Sequence, residues 1–430
     1  MNTLNKDEIG AYIAQAGQDA WDVPGLPENT PHRPVKSVGI IGAGTMGGGI
    51  AMNFATAGIP VTIVETTQEA LDRGLKVVRG NYQRSADKGR FPQDEVEARM
   101  ARFDGRLQLS DLGDCDLVIE AVFEDMDLKR KIFTELDRVM KPGAILATNT
   151  SALDINEIAG MTTRPQDVIG LHFFSPANVM KLLEIVRAKH TADDVVATCM
   201  SLAKDINKVA TLVGVCPGFV GNRILFARQK QANKLVYQGV MPWDVDAALN
   251  QFGFKMGPFQ MSDLAGLDIG WSKGAKTDNP IRDALCELDR RGQKTQAGFY
   301  DYDENRRPVP SDVTAGIIRD ITGAEPSSMS ADEVVEICIY PMINEAVKIL
   351  EENKVQRPSD IDVVWLYGYG WPPEKGGPML YGDMVGAQAV LDRMEKLGAE
   401  DTEFTPAETL RRLVKEGGKF TEIDTGGLKV

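Results

Sequence analysis

The chain has 430 residues, a formal net charge of −14 and 43% hydrophobic residues, which is the composition of an ordinary globular protein. The length predicts about two to four domains, and the acidic excess argues against nucleic acid as the main partner. No run of about eighteen apolar residues occurs, and the amino terminus lacks a basic segment followed by an apolar one. We therefore predict neither a membrane span nor a signal peptide.

The cysteines are widely separated, without a CxxC pair or a nearby histidine. Their odd number and scattered spacing argue against both a disulfide framework and a zinc site, so no metal is expected. The pattern favours a reduced protein of the cytoplasm. The five positions are Cys115, Cys199, Cys216, Cys286 and Cys338.

Residues 1–34 combine a short helical pattern, over residues 7–20, with four closely spaced prolines. The prolines, at positions 24, 27, 31 and 34, interrupt helices and strands alike. We interpret this segment as an N-terminal arm or linker that lies on a neighbouring element and has no chemical role.

From residue 35 the pattern becomes that of a βαβ unit. An apolar strand at 35–41 is followed by Gly42-Ala-Gly-Thr-Met-Gly47 and by a helix of small residues at 48–57. A second strand at 61–64 ends directly before Glu65. A glycine-rich turn alone is a weak signal, but this combination is typical of a dinucleotide-binding unit.

The glycines of the turn have separate predicted roles. Gly42 permits the tight turn, Gly44 lets the backbone approach a pyrophosphate, and Gly47 allows close packing of the helix on the strand. The start of the helix, at Thr45 and Met46, would then meet the phosphate charge. The alternative is a glycine-rich turn that binds no ligand.

Glu65 indicates which dinucleotide is preferred. A carboxylate at this position can accept both ribose hydroxyl groups of the adenosine and would repel a 2′-phosphate. No arginine follows it directly. NAD is therefore predicted rather than NADP.

Strand-like and helical runs alternate as far as about residue 215. This alternation predicts a largely parallel, doubly wound sheet, an α/β Rossmann-type domain over residues 35–215. Ligands of such sheets bind beyond the carboxyl ends of the strands, so Glu124, Ser151 and His172 are expected to converge there. The strand-like runs are 117–122, 144–148, 168–173, 182–186 and 209–213, and the helical runs are 68–88, 126–140 and 192–207.

His172 and Glu184 form a candidate catalytic pair. Glu184 stands within an apolar run at 182–186 that is predicted to be a buried strand, where a carboxylate needs a partner. An imidazole on the neighbouring strand would be a suitable partner. We hypothesise that His172 is a general base oriented by Glu184; the alternative is a structural hydrogen bond in the core.

One window departs from the acidic balance of the chain. Residues 73–90 contain six arginines and lysines and a single acid, Asp87. A polyanionic small molecule could dock on this helix, and the alternative is a solvated helix face.

After residue 216 the pattern is helical and repeats. Gly257-Pro258, Asp263 and Gly266 recur with identical spacing as Gly377-Pro378, Asp383 and Gly386. Two helical domains from a duplication are predicted, over residues 216–325 and 326–430.

Several motifs together resemble the L-3-hydroxyacyl-coenzyme A dehydrogenases, and the long form with two helical copies is similar to the dehydrogenase half of the multifunctional β-oxidation enzymes. The motifs occur in the order of that family, from about residue 35 to 302 and again in the second helical copy. They are Gly42-Ala-Gly-Thr-Met-Gly-Gly-Gly-Ile50, Asp116-Leu-Val-Ile-Glu-Ala-Val122, Asn149-Thr-Ser151, His172-Phe-Phe-Ser-Pro176, Pro217-Gly-Phe-Val-Gly-Asn-Arg223 and Gly368-Tyr-Gly-Trp-Pro-Pro-Glu-Lys-Gly-Gly-Pro-Met379.

The resemblance implies an NAD-dependent (3S)-3-hydroxyacyl-coenzyme A dehydrogenase of fatty-acid breakdown or related metabolism. In it His172 would take the proton of the 3-hydroxyl, Glu184 would hold the imidazole, and Ser151 and Asn222 would bind the reacting oxygen. The implied cofactor contacts, besides the glycine-rich turn, are Glu65, Glu124, Lys129, Ser151, Ser175 and Lys294. The implied substrate contacts are Asn81, Lys88, Ser151 and Asn222.

Two of these positions depart from the common pattern of the family. Ser175 stands where asparagine is frequent, and Asn81 stands where a serine contacts coenzyme A. Both side chains can still form hydrogen bonds.

Two other functions are compatible with a Rossmann domain joined to helices. A β-hydroxyacid or 6-phosphogluconate dehydrogenase would place a catalytic lysine in the helical part, and the pair His172 and Glu184 argues against it. A non-enzymatic NAD-binding protein would not need these residues.

The resemblance also bears on assembly and location. Short members of the family pair through their helical domain, so an internal duplication predicts a monomer, with a homodimer as the alternative. The chain ends in Leu428-Lys-Val430 rather than in a peroxisomal tripeptide, which supports the cytoplasmic location.

Overall fold

The computed structural model describes residues 4–27 and 29–428. The α-helices are α1 (Lys6–Asp19), α2 (Thr45–Thr56), α3 (Gln68–Asp87), α4 (Asp94–Met100), α5 (Met126–Val139), α6 (Ile155–Ala159), α7 (Asp193–Asp205), α8 (Gly221–Tyr237), α9 (Pro242–Phe252), α10 (Pro258–Ala265), α11 (Pro280–Glu287), α12 (Asp312–Thr322), α13 (Ala331–Glu351), α14 (Pro358–Gly368), α15 (Pro378–Val385), α16 (Ala387–Glu400) and α17 (Glu408–Glu416). The strands are β1 (Val38–Ile41), β2 (Val61–Val64), β3 (Phe103–Arg106), β4 (Leu117–Glu120), β5 (Ile145–Thr148), β6 (Val168–Phe173), β7 (Leu182–Arg187), β8 (Val209–Gly214), β9 (Tyr300–Tyr302) and β10 (Pro308–Pro310).

The described residues form two compact units. Of the residues that the structure describes, the sheet unit comprises those within 6–222, 349–369 and 421–428, and the helical unit comprises residues 4–5, 223–348 and 370–420. The residues Lys429 and Val430, on which part of the predicted location rests, lie outside the described residues.

Eight strands of the sheet unit form one sheet, in the order β3-β2-β1-β4-β5-β6-β7-β8. Strands β1 to β6 are parallel, as the alternation of strands and helices predicts. Strand β7 runs antiparallel to β6 and parallel to β8. The segment between β6 and β7 is only eight residues long, which is too short for the crossover that a parallel pair needs.

The core of the sheet unit lies between the sheet and its helices. Strands β1, β4 and β5 are buried along their whole length, because parallel strands in a doubly wound fold are covered on both faces. Helix α2 is buried over Gly47 to Ala55, where small residues let it approach the sheet. The Rossmann-type domain predicted from the sequence is therefore present.

The described part of the N-terminal segment from Lys6 onward, which the sequence predicts to be an arm or linker, packs within the sheet unit. Its helix α1 packs against α14, with Ala16, Ala20 and Val363 in one apolar cluster. Arg33 forms ion pairs with Asp167 and Asp194 at 2.7 and 2.8 Å. These contacts hold the segment on the sheet unit.

The helical unit shows the duplication in its hydrogen bonds. Asp263 accepts a hydrogen bond from the backbone N–H of Phe299, and Asp383 accepts one from the backbone N–H of Phe420. The number of residues between donor and acceptor is nearly the same in the two pairs. Both aspartates lie on helices of eight residues that begin at the proline of the Gly-Pro pair, α10 and α15. A two-stranded antiparallel sheet, β9 and β10, was not predicted and makes the first copy other than purely helical.

Within the helical unit the two copies pack against each other. The aromatic rings of Phe252 and Phe254 from the first copy contact those of Trp371 and Tyr381 from the second, with centroids 5.0 to 5.6 Å apart. Arg223 of α8 forms an ion pair with Glu345 of α13 at 2.7 Å. The two copies of the duplicated sequence therefore contact each other within one chain.

Across residues 4–27 and 29–428 there is no helix with the length and apolar character that a membrane crossing requires.

Candidate active site

The glycine-rich turn between β1 and α2 has the backbone that the sequence predicts. Gly42 adopts φ +100°, a conformation that favours glycine. A Cβ added at Gly47 would lie 1.9 Å from the carbonyl oxygen of Gly42, so only glycine allows this contact. A Cβ added at Gly44 would meet none of the described atoms within 4 Å, so the space above the turn is open to a ligand. The backbone N–H groups at the start of α2, at Thr45 and Met46, are available for phosphate oxygens.

Glu65 closes the same site from the end of β2. Burial raises the pKa of this carboxyl, but hydrogen bonds from the N–H groups of Ala43 and Thr66 outweigh burial, and the pKa is lowered. The group is therefore ionised at neutral pH and can only accept hydrogen bonds. An ionised carboxylate suits the ribose hydroxyls of NAD and opposes a 2′-phosphate, so these residues fit the predicted cofactor.

Glu124 holds the loop that follows β5. One of its oxygens accepts hydrogen bonds from the backbone N–H of Ser151 at 2.6 Å, from the hydroxyl of Ser151 at 3.0 Å and from Thr150 at 2.9 Å. The neighbouring Asn149 accepts the backbone N–H of Phe173 at 2.8 Å and ties this loop to β6. The loops after β4, β5 and β6 thus converge at the carboxyl edge of the sheet, as expected.

Lys129 lies beneath this loop in a buried ion pair. Its ammonium group is 2.6 Å from Glu120 and 3.6 Å from Glu124, and both Lys129 and Glu120 are at most 1% exposed. Glu120 also accepts a hydrogen bond from Thr148 at 2.8 Å. Lys129 therefore orients Glu124, and its direct contact with a cofactor stays a prediction.

His172 and Glu184 are partners across the antiparallel pair β6 and β7. They lie directly opposite each other, with Nδ1 of His172 2.7 Å from Oε2 of Glu184. Glu184 is fully buried, and its other oxygen accepts the backbone N–H of Gly221 at 2.9 Å. Because Nδ1 faces a carboxylate it carries the proton, which leaves Nε2 as the basic nitrogen. The predicted contact is present, and its catalytic role stays a prediction.

Asn222 follows Gly221 at the start of α8, next to this pair. Its Oδ1 accepts a hydrogen bond of 2.8 Å from the hydroxyl of Tyr369. The ring of Phe174 lies between this corner and His172, with centroids 5.4 Å from Tyr369 and 4.4 Å from His172. An imidazole, an amide and an aromatic wall therefore meet in one part of the sheet unit.

A basic pocket lies beside α3 and has a volume of about 520 Å³.

The basic pocket contains both predicted coenzyme A contacts, Asn81 and Lys88. Cations from separate parts of the sheet unit line it together: Arg84, Lys88, Arg90, Arg99, Lys181 and Lys208. Of the basic window predicted on α3, only its carboxyl-terminal part faces this pocket. Arg79 instead forms an ion pair with Glu97 of α4, an acid that lies outside the window.

Lys208 is the buried cation of the basic pocket. Its ammonium donates hydrogen bonds to the carbonyl oxygens of Ala177 and Met180, at 2.6 and 2.7 Å. Burial, and to a smaller degree the charge of Lys181, lowers the pKa of Lys208 to about 8. No carboxylate neutralises it among these contacts, so a bound anion would stabilise its charged form.

The remaining predicted cofactor contacts lie in two different places. Ser175 is exposed just after β6, in a cis peptide bond with Pro176, at the edge where the other loops converge. Lys294 belongs to the helical unit, where it forms an ion pair with Asp268. Its role toward a cofactor stays a prediction.

Three residues of the site were missed from the sequence. Glu120 stands in an apolar run, and this is the same sequence signal that indicates Glu184. Tyr369 lies within a motif that was noted for resemblance alone. Lys208 gave no local signal, because only folding brings it to the basic pocket.

Comparison with protein families shows two matches along the chain. The family described as 3-hydroxyacyl-CoA dehydrogenase, NAD binding domain, matches residues 37–216. Its partner, described as 3-hydroxyacyl-CoA dehydrogenase, C-terminal domain, matches residues 218–302 and 334–426.

Similar curated proteins include the peroxisomal bifunctional enzymes of Cavia porcellus and Homo sapiens. They are 43% and 42% identical to this chain over 95% of its length. The matched part is 60% of each relative, so the chain spans well under two thirds of their length.

Similar solved structures agree with the fold. The 3-hydroxybutyryl-CoA dehydrogenase of Escherichia coli has a TM-score of 0.76 at 26% identity, covering 90% of this chain and 100% of that one. The dehydrogenase part of multifunctional enzyme 1 from C. elegans has a TM-score of 0.67 at 31% identity, covering 94% and 96%.

Proposed function

This chain belongs to the 3-hydroxyacyl-CoA dehydrogenase family, and on that premise we propose that it oxidises (3S)-3-hydroxyacyl-coenzyme A to 3-ketoacyl-coenzyme A with NAD. The observation that carries the proposal is the buried pair of His172 and Glu184 at the edge of an NAD-binding sheet. Relatives named as fatty acid beta-oxidation multifunctional proteins support a place in β-oxidation.

The proton step belongs to His172. Its Nε2 would take the proton of the substrate 3-hydroxyl, while Nδ1 keeps its hydrogen bond to Glu184. Glu184 stabilises the positive charge that His172 then carries, and the N–H of Gly221 holds the second carboxylate oxygen in place. The glycine-rich turn and Glu65 would hold NAD, which would supply the acceptor for the hydride of the substrate carbon.

Ser151 and Asn222 would bind the reacting oxygen in different ways. The hydroxyl of Ser151 donates to Glu124, but its hydrogen can rotate about the Cβ–Oγ bond and would then donate to the reacting oxygen, whose own proton goes to His172. The Oδ1 of Asn222 is occupied by Tyr369, so its amide nitrogen is left to donate to the developing ketone.

The test is an assay of NADH formation with (3S)-3-hydroxyacyl-coenzyme A substrates of short, medium and long chain. We expect turnover with the 3S substrates and none with the 3R isomer or with 6-phosphogluconate. Activity with 6-phosphogluconate alone, or NAD binding without any turnover, would contradict the proposal.

Lys88 is proposed to bind the phosphates of coenzyme A. We expect Lys88→Ala to raise the KM for the acyl-coenzyme A substrate about tenfold at low salt, because a charged hydrogen-bond donor is lost. The difference should shrink as salt rises, and the KM for NAD should stay the same. Initial rates at several salt concentrations measure both. Lys76→Ala is the matched control, since Lys76 is exposed on α3, the helix that ends directly before Lys88, and lies outside the described lining of the basic pocket. Equal KM values for both variants and the wild type would contradict the assignment.

Lys208 should make this binding depend on pH. Its pKa of about 8 means that the charge is present at neutral pH and is lost as pH rises through 8. A bound phosphate favours the charged form, so the Kd of acetyl-coenzyme A should rise about tenfold from about pH 7 to about pH 9. Calorimetry measures this. Lys208→Met should remove the pH dependence of the Kd. The control Lys204→Met, on α7, should keep it. An unchanged pH dependence in Lys208→Met would refute the prediction.

The cytoplasmic location predicted from the sequence is wrong. The similar proteins of Cavia porcellus, Homo sapiens and Arabidopsis thaliana are named as peroxisomal enzymes, which points to peroxisomes. An organelle address is read by a receptor, so composition and cysteine spacing do not determine it.

A further inference from the structure

Tyr369 comes from a distant part of the sequence to the edge of the proposed active site. It directly follows α14, which packs on β7 and β8 in the sheet unit. A Cβ added at Gly368 would lie 2.4 Å from Leu182, the first residue of β7, so the chain passes very close to the strand that carries Glu184. The segment lies in the second copy of the duplication, predicted over residues 326–430.

The contacts of Tyr369 are directed at the residues beside the His172–Glu184 pair. Its hydroxyl donates to Oδ1 of Asn222 at 2.8 Å, and its ring stacks on Trp365 with centroids 4.6 Å apart. A Cβ at Gly221 would lie 2.3 Å from the Tyr369 ring, so glycine is required there for the ring to approach. The same Gly221 donates its N–H to Glu184.

The hydrogen bond determines which end of the Asn222 amide faces the substrate. A side-chain amide has one accepting and one donating end, and the two ends look alike in shape. With Oδ1 held by a hydroxyl donor, the amide nitrogen is the end left for the substrate oxygen. The reverse orientation would present an acceptor, which would compete with His172 for the substrate proton.

We propose that Tyr369 is a positioning residue that holds the amide nitrogen of Asn222 toward the reacting oxygen of the substrate. The proposal rests on the proposed dehydrogenase function and assigns part of the second helical copy to the chemistry. Tyr369 acts through Asn222 and needs no contact with the substrate.

The test is a kinetic double-mutant cycle of Tyr369→Phe and Asn222→Ala. Phenylalanine keeps the ring contacts with Phe174 and Trp365 and removes only the hydroxyl. We expect Tyr369→Phe to lower kcat about tenfold, with the KM for NAD and the melting temperature nearly unchanged. In the Asn222→Ala background the same change should have no further effect, because the group it positions is gone.

Tyr367→Phe is the matched control, since Tyr367 lies two residues before Tyr369, near the end of α14, and packs with the cluster of Ala16, Ala20 and Val363. It should keep wild-type kcat. A wild-type kcat in Tyr369→Phe, or a multiplicative loss in the double variant, would overturn the positioning role while leaving the dehydrogenase intact. A wild-type chain without turnover on any 3-hydroxyacyl-coenzyme A would overturn the proposed function, and this proposal with it.

Discussion

His172→Gln is expected to lower kcat at least about a hundredfold, which is the usual contribution of a general base. Glutamine can still donate a hydrogen bond to Glu184, so the buried carboxylate keeps a partner and the fold should be retained. The glycine-rich turn and Glu65 are separate from this pair, so the affinity for NAD should barely change. Single-turnover rates and NAD titration measure the two quantities.

His190→Gln is the control for this variant, because it makes the same substitution at an exposed histidine. It should keep wild-type turnover. Near-wild-type kcat in His172→Gln would refute the proposed proton transfer, whatever the effect on substrate binding.

A chain that ends at residue 325 is expected to associate or aggregate and to lose activity. The truncation removes Trp371 and Tyr381, which cover Phe252 and Phe254 in the helical unit. Each large apolar side chain that becomes exposed costs about 1.5 to 3 kcal/mol. It also removes α14 from β7 and β8, so the sheet unit loses part of its cover. Sedimentation measures the association directly. An activity assay does not, because the truncation also removes Tyr369, and the loss of that residue alone could lower activity.

The full chain, by contrast, is expected to sediment as a monomer at dilute, active concentrations, because its second copy occupies the surface by which copies would pair. Lys230→Ala with Lys234→Ala is a control, since it breaks the pairs with Glu403 and Asp401 and leaves the aromatic contacts. Exposed ion pairs contribute little, so this variant should stay monomeric. A monomeric, active chain of 325 residues would contradict the role of the second copy, and a tight dimer of the full chain would contradict the monomer.

The elements predicted best are those whose signal is local. The turn at Gly42 and the burial around Glu184 follow from neighbouring residues, because a tight turn needs glycine and an apolar run forms a buried strand. Strand β3, Phe103-Asp-Gly-Arg106, was missed since it is a partly exposed edge strand without an apolar run. Its structure depends on pairing with β2, which local sequence does not report.

The sequence by itself determined the NAD-binding unit, the duplication of the helical part and the pair of His172 and Glu184. Only the tertiary structure decided that α14 packs on the sheet, that Tyr369 meets Asn222, and that Lys208 joins the basic pocket. The physical reason is the distance along the chain: Tyr369 and Asn222 are 147 residues apart. A hydrogen bond between such residues depends on how the intervening elements pack, and no periodicity or spacing near either residue specifies that packing.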